Sequence, residues 1–346
     1  MVTEYAHALI RWQKSAGRHD LPWQQKGRAD PYRVWLSEIM LQQTQVATVI
    51  PYYARFLARF PDLAGLAAAP TEDVMALWSG LGYYARARNL QRAAQAIVAQ
   101  HGGRFPRRIV DIEALPGIGR STAAAIAVFA FGARAAILDG NVKRVLARVF
   151  GIEGFPGEKA VAARLWALAE SLLPERDLVA YTQGLMDLGA TLCTRRRPRC
   201  DECPVAAQCV ARREDRIAEL PATRAKRAVP QRAVTLLVQL DRGRVLLERR
   251  PPKGIWGGLL SLPELPAGKL PRRCAGAVPL PVLRHAFTHF RLDITPLVCK
   301  VSRCDAPQEI PLGDTAKDGV WLSLKKLDEA PLPAPIRKIL EKLADD

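Results

Sequence analysis

Four cysteines lie close together in the chain, and their thiolates are ligands of the kind that soft metal centres prefer. They fall within seventeen residues that contain no histidine, as Cys193, Cys200, Cys203 and Cys209. Four thiolates can hold a tetrahedral zinc ion or an iron–sulfur cluster, and coordination chemistry alone leaves both open. The other cysteines are scattered along the C-terminal third, as Cys274, Cys299 and Cys304. In a chain expected to be intracellular, this distribution favours a metal site over disulfides.

A lone carboxylate interrupts an apolar stretch near the N-terminus. Residues 35–41 read Trp-Leu-Ser-Glu-Ile-Met-Leu, with Glu38 inside a predicted helix that Asp30 caps and Pro31 begins. Burial would raise the pKa of Glu38 and keep it protonated, as a general acid must be near neutral pH. A Glu on the exposed stripe of an amphipathic helix is the alternative and the commoner case.

A Gly/Pro motif precedes a second predicted helix, which ends at Gly132. Residues 115–119 read Leu-Pro-Gly-Ile-Gly and leave backbone N–H groups unobstructed at the positive end of the helix dipole. This geometry suits a phosphate, although an ordinary tight turn has the same composition. Twenty residues after Gly119 comes Asp139, which can cap the next helix, act chemically, or do both.

The segments LPGIGRSTAAAIAVFAFG and LDGNVKRV resemble the helix-hairpin-helix signature of the endonuclease III superfamily of base-excision DNA glycosylases. The resemblance implies that Asp139 stands at the scissile nucleoside, with Asn141 as its polar neighbour. The cysteine spacing is similar to the iron–sulfur loop of the same superfamily, so the implied cofactor is a [4Fe–4S] cluster. Arginines between the first two cysteines would bind phosphates, with a merely soluble loop as the alternative. They are Arg195, Arg196, Arg197 and Arg199.

Superfamily members that also cleave the strand carry a lysine in the helix after the hairpin, where it forms a Schiff base with the sugar. This chain has Arg120 and Ser121 at that place. Because an amine is missing there, the resemblance favours a monofunctional glycosylase that uses water. Lys143 is near in sequence and leaves a weak lyase side activity open.

The segment WLSEIMLQQTQV is similar to the adenine-specific branch of the superfamily, the MutY family. The resemblance makes Glu38 the proton donor to the departing adenine and Gln43 a wedge in the duplex. Tyr83 would stack beside the damaged guanine, with simple core packing as the alternative. Asp139 would stabilise the positive sugar or act as a transient nucleophile. The adenine pocket would include Leu21, Trp23, Gln24 and Gln183.

The segments GIWGGLLSLPE and RHAFTHFRLDI resemble the Nudix-like C-terminal domain of that family. A Nudix hydrolase needs an acidic helix to hold Mg²⁺, but PAGKLPRRCAGA contains no acidic residue, so this domain should bind rather than hydrolyse. By the resemblance, Phe287, Thr288 and His289 contact 8-oxoguanine, and Thr288 keeps a hydroxyl for a hydrogen bond. A metal pair formed by His285 and His289 is the alternative.

Composition agrees with an enzyme that binds DNA. The 346 residues include 51 basic and 34 acidic side chains, and the net charge of +17 attracts polyanions. No apolar run reaches the roughly 18 residues of a membrane span, and no signal peptide is recognisable, so we expect an intracellular protein of the bacterial cytosol or nucleoid. The predicted fold is multidomain. It comprises an all-α helix-hairpin-helix domain over 1–212, a linker over 213–230, and a smaller α+β Nudix-like domain over 231–346.

The resemblance predicts a monomer that removes adenine paired with 8-oxoguanine or guanine in double-stranded DNA. Contacts to DNA are also expected from Leu115, Gly117, Gly119 and Ser121. One alternative is a pyrimidine-specific glycosylase, which would lack the second domain. The other is a non-catalytic DNA-binding protein, which would have no reason to keep both Glu38 and Asp139.

Overall fold

The computed structural model describes residues 2–24, 27, 29–224, 229–251, 254–266, 269–287, 289–301 and 319–345. The chain divides into two compact units. The first comprises residues 1–68 and 92–226, and the second comprises residues 69–91 and 227–346. The domain boundaries given above stay a prediction, and no sequence signal assigned residues 69–91 to the second unit.

The first unit is helical. Its helices are α1 (Val2–Ala16), α2 (Pro31–Leu41), α3 (Val46–Arg59), α4 (Leu63–Ala68), most of α6 (Ala85–His101), α7 (Ile109–Glu113), α8 (Arg120–Phe131), α9 (Gly140–Phe150), α10 (Lys159–Ser171), α11 (Leu178–Asp187) and α12 (Val210–Arg213). A π-helical turn, Leu188–Leu192, continues α11. Buried aliphatic residues of α1, α8, α9 and α11 share one core.

Local chemistry sets the ends of the helices that carry the site. Asp30 caps α2, because its carboxylate accepts a 2.9 Å hydrogen bond from the Tyr32 N–H, and Pro31 is the first residue of the helix. Helix α8 ends at Gly132, whose φ of 68° is left-handed. Both helix ends confirm the sequence prediction.

The second unit is built around a mixed sheet. Its strands are β1 (Gln231–Asp241), β2 (Arg244–Arg249), β3 (Leu260–Ser261), β4 (Glu264–Leu265), β5 (Val278–Pro279), β6 (Leu283–Ala286), β7 (Arg291–Lys300) and β8 (Gly319–Ser323). The central order is β3-β2-β1-β7-β5, with β1 and β7 parallel. Strands β1 and β2 form an antiparallel hairpin, and Arg242 and Gly243 at its tip both have positive φ. Helix α13 (Ala334–Asp345) ends the unit.

Residues 69–91 pack with this sheet domain through α5 (Thr71–Trp78) and the start of α6. The Ser79 hydroxyl donates a 2.6 Å hydrogen bond to the carbonyl of Leu332. The Arg88 guanidinium donates one of 2.6 Å to the carbonyl of Gly257. These bonds connect the loop that carries Tyr83 to the sheet domain.

The sequence-based preference for metal binding over disulfides is wrong for two of the scattered cysteines. Cys274 and Cys299 form a disulfide with a Cα–Cα distance of 5.4 Å. Both lie in a small apolar core with Leu237 and Leu265, because a short 3-10 helix places Cys274 against β7. Cys304 lies outside the described residues. No helix in the described ranges is long and apolar enough to cross a membrane.

Candidate active site

A cavity of about 870 Å³ lies in the first unit, a size usual for small-molecule and base-binding sites. Helices α2, α8 and α11 contribute its walls, together with residues of the segment 18–24. All four residues predicted for the adenine pocket line it together with Glu38: Leu21, Trp23, Gln24 and Gln183. Much of the remaining wall is apolar and comes from Val34, Leu41, Val46, Phe129 and Met186.

Glu38 is an ionisable side chain of α2 that lines this cavity. Its neighbours Leu36, Ile39 and Met40 are buried, whereas Glu38 keeps partial exposure. Burial, and to a smaller extent the negative charge of Asp139, raise the pKa of Glu38 to about 8. Glu38 is therefore mainly protonated at neutral pH, as its apolar sequence context predicted.

Asp139 lies directly before α9 and is not among the described residues that line the cavity. Its carboxylate accepts a 2.7 Å hydrogen bond from the Val142 N–H, so the capping role is confirmed. Burial raises the pKa of Asp139 above the ordinary Asp value, although the N–H groups of Val142 and Asn141 and the charge of Arg144 oppose the shift. The two carboxyls thus sit close enough to interact, in different surroundings.

Asn141, the predicted neighbour of Asp139, is fixed by Arg144. The Arg144 guanidinium donates to the Asn141 side-chain oxygen at 2.9 Å, to the Gly189 carbonyl at 2.7 Å and to the Cys193 carbonyl at 2.8 Å. The first turn of α9 is therefore joined to the backbone at the first cysteine of the metal loop.

Gly189→Ala is expected to lower both stability and catalysis. A Cβ on Gly189 would lie 2.6 Å from the Cβ of Asn141, so the first turn of α9 must move. Overpacking of this kind costs about 1–3 kcal/mol, and urea unfolding measures it. Gly140→Ala is the control, because a Cβ there meets nothing within 4 Å. Equal unfolding free energies for the two variants would contradict the proposed contact.

A buried ion pair beside the cavity was missed from the sequence. Asp187 is fully buried and accepts hydrogen bonds from Arg18 Nε at 2.7 Å, from the Arg18 N–H at 2.9 Å and from the Gln183 amide at 2.8 Å. Gln24 donates to the Arg18 carbonyl and accepts from the Leu21 N–H. The pair thus orients two predicted pocket residues. Asp187 also interrupts an apolar stretch, the same signal that identified Glu38.

The Gly/Pro motif forms the predicted turn between α7 and α8. Gly117 has a φ of 79°, and Gly119 occupies the N-cap position without a side chain. The side chain of Leu115 is buried, so only its backbone is available to a ligand. Ser121 accepts a 2.9 Å hydrogen bond from the Leu138 N–H, and this bond joins α8 to the residue before Asp139.

The predicted DNA-contact residues differ in availability. Gln43 is exposed at a turn with a φ of 57°, an unusual conformation for a non-glycine residue. Tyr83, in the second unit, is 47% exposed with a φ of 50°. Arg199 pairs with Glu202 at 3.0 Å. The other three loop arginines are exposed, and no salt bridge involves them in the described ranges: Arg195, Arg196 and Arg197.

The four clustered cysteines line one small cavity, with apolar walls that include Val145, Leu188 and Leu192. Among the residues that the structure describes, no three His, Cys, Asp or Glu side chains surround a single ion position. Burial raises the pKa of the Cys203 thiol to about 11 and that of Cys209 above its ordinary value. These sites need bound positive charge to become thiolates, so the donor set fits an iron–sulfur cluster, whose iron would supply that charge.

The arginine Arg148 is buried next to this cavity and supports the metal loop. It donates to the carbonyls of Leu220, Thr194 and Arg195 at 2.9, 2.7 and 3.1 Å. A nitrogen of the same guanidinium lies 3.5 Å from the Cys193 sulfur. The loop is therefore held to α9 by both Arg144 and Arg148.

In the second unit, the segment predicted to contact the lesion lies in the sequence between β6 and β7. The Phe287 N–H donates to the Phe290 carbonyl at 2.9 Å, and the two rings stack at 4.4 Å. His289 is exposed, and Thr288 lies outside the described residues. His285 packs edge-on against Phe287, and burial lowers its pKa. No metal-binding group of three side chains includes either histidine in the described part of the chain.

Comparison with known proteins agrees with this arrangement. Residues 36–171 match the HhH-GPD superfamily of base excision DNA repair proteins, residues 193–209 the iron–sulfur binding domain of endonuclease III, and residues 233–342 a NUDIX domain. The adenine DNA glycosylase of Buchnera aphidicola subsp. Schizaphis graminum is 35% identical, over 97% of this chain and 98% of its own. The human adenine DNA glycosylase is 32% identical, over 98% of this chain and 73% of its own.

Two solved structures resemble part of the chain. A thermostable thymine-DNA glycosylase is 30% identical with a TM-score of 0.55, over 61% of this chain and 95% of that one. An endonuclease III–DNA complex, at 21% identity and a TM-score of 0.51 over 62% of this chain and 98% of that one, shows likeness of fold alone. Residues 193–209 are the loop for a [4Fe–4S] cluster. Since the similarity to adenine DNA glycosylases extends over nearly the whole chain, this protein belongs to the adenine DNA glycosylase family of base-excision repair enzymes.

Proposed function

We propose that this glycosylase hydrolyses the N-glycosidic bond of adenine paired with 8-oxoguanine or guanine in duplex DNA. Glu38 is the general acid and Asp139 stabilises the positive sugar. One observation carries this assignment: a carboxyl with a pKa of about 8 lines the cavity and interacts with a second carboxyl, that of Asp139, which accepts a hydrogen bond from the Val142 N–H at the start of α9. A pair of carboxyl groups held in different surroundings can divide acid and charge-stabilising roles.

The chemistry follows from these two positions. An adenine flipped into the cavity leaves poorly as an anion, so Glu38 gives its proton to a ring nitrogen, which we assign as N7. The bond between the sugar and the base breaks, and its electron pair goes to the base. The sugar becomes an oxocarbenium-like cation, which the Asp139 carboxylate stabilises until water adds to it and gives a proton to the Glu38 carboxylate, which restores the acid. Asn141, held by Arg144, completes the polar surroundings of Asp139.

We assign recognition of the opposite guanine to the second unit. Tyr83 and His289 are exposed there, and the Phe287–Phe290 turn supplies a stacked aromatic pair beside His289. Aromatic faces bind unstacked bases without sequence preference, whereas His289 and Thr288 offer hydrogen bonds for discrimination. In the first unit, Gln43 is the wedge, and the arginine-rich loop with the turn at 115–119 binds phosphates.

The substrate assignment is tested with duplexes that place adenine opposite 8-oxoguanine, guanine or thymine. After incubation and alkali treatment, we expect cleavage at adenine opposite 8-oxoguanine and guanine, and none opposite thymine. A duplex with thymine opposite guanine tests the alternative favoured by the 30% identical thymine-DNA glycosylase. Release of thymine, or equal release of adenine from all three pairs, would contradict the proposal.

The enzyme is proposed to be monofunctional. Ser121 provides a hydroxyl rather than an amine at the lyase position, and that hydroxyl already accepts a hydrogen bond from Leu138. Borohydride reduction during turnover is therefore expected to trap no protein–DNA adduct. An adduct that disappears in Lys143→Gln would instead assign a Schiff base to Lys143.

The excision rate is expected to be highest at an intermediate pH and to fall at both higher and lower pH. Glu38 must be protonated, so the rate falls as pH rises through about 8. Asp139 must be ionised, so the rate also falls as pH drops through its pKa, which burial raises above the ordinary value. Since the two carboxyls interact, the two inflections of the pH–rate curve give apparent pKa values of the pair and not of either residue alone. Single-turnover rates at saturating enzyme measure both inflections, and a rate still rising at about pH 9 would contradict the role of Glu38.

A further inference from the structure

A tyrosine hydroxyl lies buried without a partner in the first unit. Tyr5, on α1, has 0% exposure, and its hydroxyl has no hydrogen bond among the described residues. Its ring packs edge-on against Phe150 at 5.3 Å. A phenylalanine at position 5 would keep that ring contact, whereas a buried, unsatisfied hydroxyl is unfavourable. The hydroxyl therefore calls for an acceptor that the residues described by the structure do not supply.

The surroundings of Tyr5 indicate where that acceptor is. Tyr5 belongs to the same buried core as Cys209, and Cys193 and Cys203 pack against this core. The groups that act electrostatically on its hydroxyl are Tyr181 and the three thiols, with Cys203 the strongest of the thiols. Tyr5 therefore lies in the core against which the cysteine loop packs, near enough to these thiols for their charge to act on its hydroxyl.

We propose that the Tyr5 hydroxyl donates a hydrogen bond to a sulfur of the iron–sulfur cluster, an inorganic sulfide or the Cys203 thiolate, and thereby raises the reduction potential of the cluster. This inference depends on the cluster-binding loop and not on the substrate or on the roles of Glu38 and Asp139. It concerns the electronic state of the cofactor, to which the base-excision chemistry assigns no step.

The direction of the effect follows from charge. Reduction adds negative charge to the cluster, and a donor directed at its sulfur stabilises that charge more in the reduced state. Burial raises the pKa of Tyr5 well above its ordinary value, so the phenol keeps its proton and remains a donor. In an apolar core this hydrogen bond is stronger than in water. Arg148, with a nitrogen 3.5 Å from the Cys193 sulfur, acts in the same direction from another side.

The test compares full-length, cluster-loaded protein with its Tyr5→Phe and Tyr32→Phe variants. Tyr32 is the matched control, because it is buried in the same unit but donates its hydroxyl to the Phe60 carbonyl, and its electrostatic neighbours include no cysteine. The iron content measures how much cluster each protein holds, and voltammetry measures the midpoint potential of the cluster. We expect equal iron in all three proteins, a more negative potential in Tyr5→Phe, and no shift in Tyr32→Phe.

Two further measurements keep the result decisive if Tyr5→Phe loads poorly. Electron–nuclear double resonance of the oxidised cluster should detect a deuterium-exchangeable proton in the unmodified protein and lose it in Tyr5→Phe. A fluorinated tyrosine at position 5, a more acidic phenol and stronger donor, should shift the potential in the positive direction. An unchanged potential with fluorotyrosine, or an exchangeable-proton spectrum of Tyr5→Phe identical to that of the unmodified protein, overturns the proposal.

Discussion

Glu38→Gln is expected to slow adenine excision by about 10²- to 10⁴-fold, the usual contribution of a general acid. Glutamine has nearly the same shape and remains neutral, so the wall of the cavity and the packing of α2 are kept. It has no proton of suitable acidity to give to the base. The single-turnover rate on an adenine–8-oxoguanine duplex measures the loss, and binding to the same duplex should change much less.

Glu175→Gln is the matched control for this variant. Glu175 is a carboxylate that lines the same cavity, but it is exposed. Its substitution should leave the excision rate near that of the unmodified enzyme. If both variants lose activity equally, the loss comes from altering any carboxyl that lines the cavity and not from the proton of Glu38. Full activity in Glu38→Gln would remove Glu38 from the mechanism altogether.

Asp139→Asn is expected to slow excision by about 10²- to 10³-fold, as removal of a preorganised stabilising group does at a developing charge. Asparagine still accepts the hydrogen bond from the Val142 N–H, because Asn caps helices about as well as Asp. The unfolding free energy should therefore stay close to that of the unmodified enzyme. Loss of rate without loss of stability separates the chemical role of Asp139 from its capping role.

Asp30→Asn provides the matched control, because Asp30 caps α2 in the same manner. We expect unchanged stability and an unchanged excision rate for this variant. Asp139→Ala, in contrast, removes the cap and should also lower the unfolding free energy by about 1 kcal/mol. An Asp139→Asn enzyme that unfolds as easily as Asp139→Ala would mean that the rate loss reflects structure alone.

Local sequence chemistry predicted the elements that hold the site. Asp30 and Pro31 lie at the start of α2, and Gly132 lies at the end of α8. The apolar neighbours of Glu38 in the sequence predicted its raised pKa. Each of these signals acts over a few residues, within one helix or turn. Helix capping, φ preference and desolvation depend on residue types that are close in the sequence, so they can be predicted from the sequence alone.

Long-range pairing could not be predicted in the same way. The Arg18–Asp187 ion pair and the Cys274–Cys299 disulfide join residues 169 and 25 positions apart, and nothing local marks their partners. The prediction for the scattered cysteines was wrong because four of the seven cysteines form a metal loop. Their clustering favoured metal binding over disulfides for the other three as well. The buried hydroxyl of Tyr5 could not be predicted either, because its lack of a hydrogen bond is recognisable only in the folded core.

The assignment of residues 69–91 to the second unit makes that unit a discontinuous domain. The polypeptide passes between the units three times, near residues 68, 91 and 226. A single cut in the segment after residue 224 therefore leaves α5 and the Tyr83 loop on the N-terminal fragment, without the carbonyls of Leu332 and Gly257 that hold them. During synthesis, residues 69–91 are made early. More than a hundred further residues must be added before their hydrogen-bonding partners, Gly257 and Leu332, have been synthesised. The sequence of the second unit is thus completed only at the end of synthesis, although part of it is made before most of the first unit.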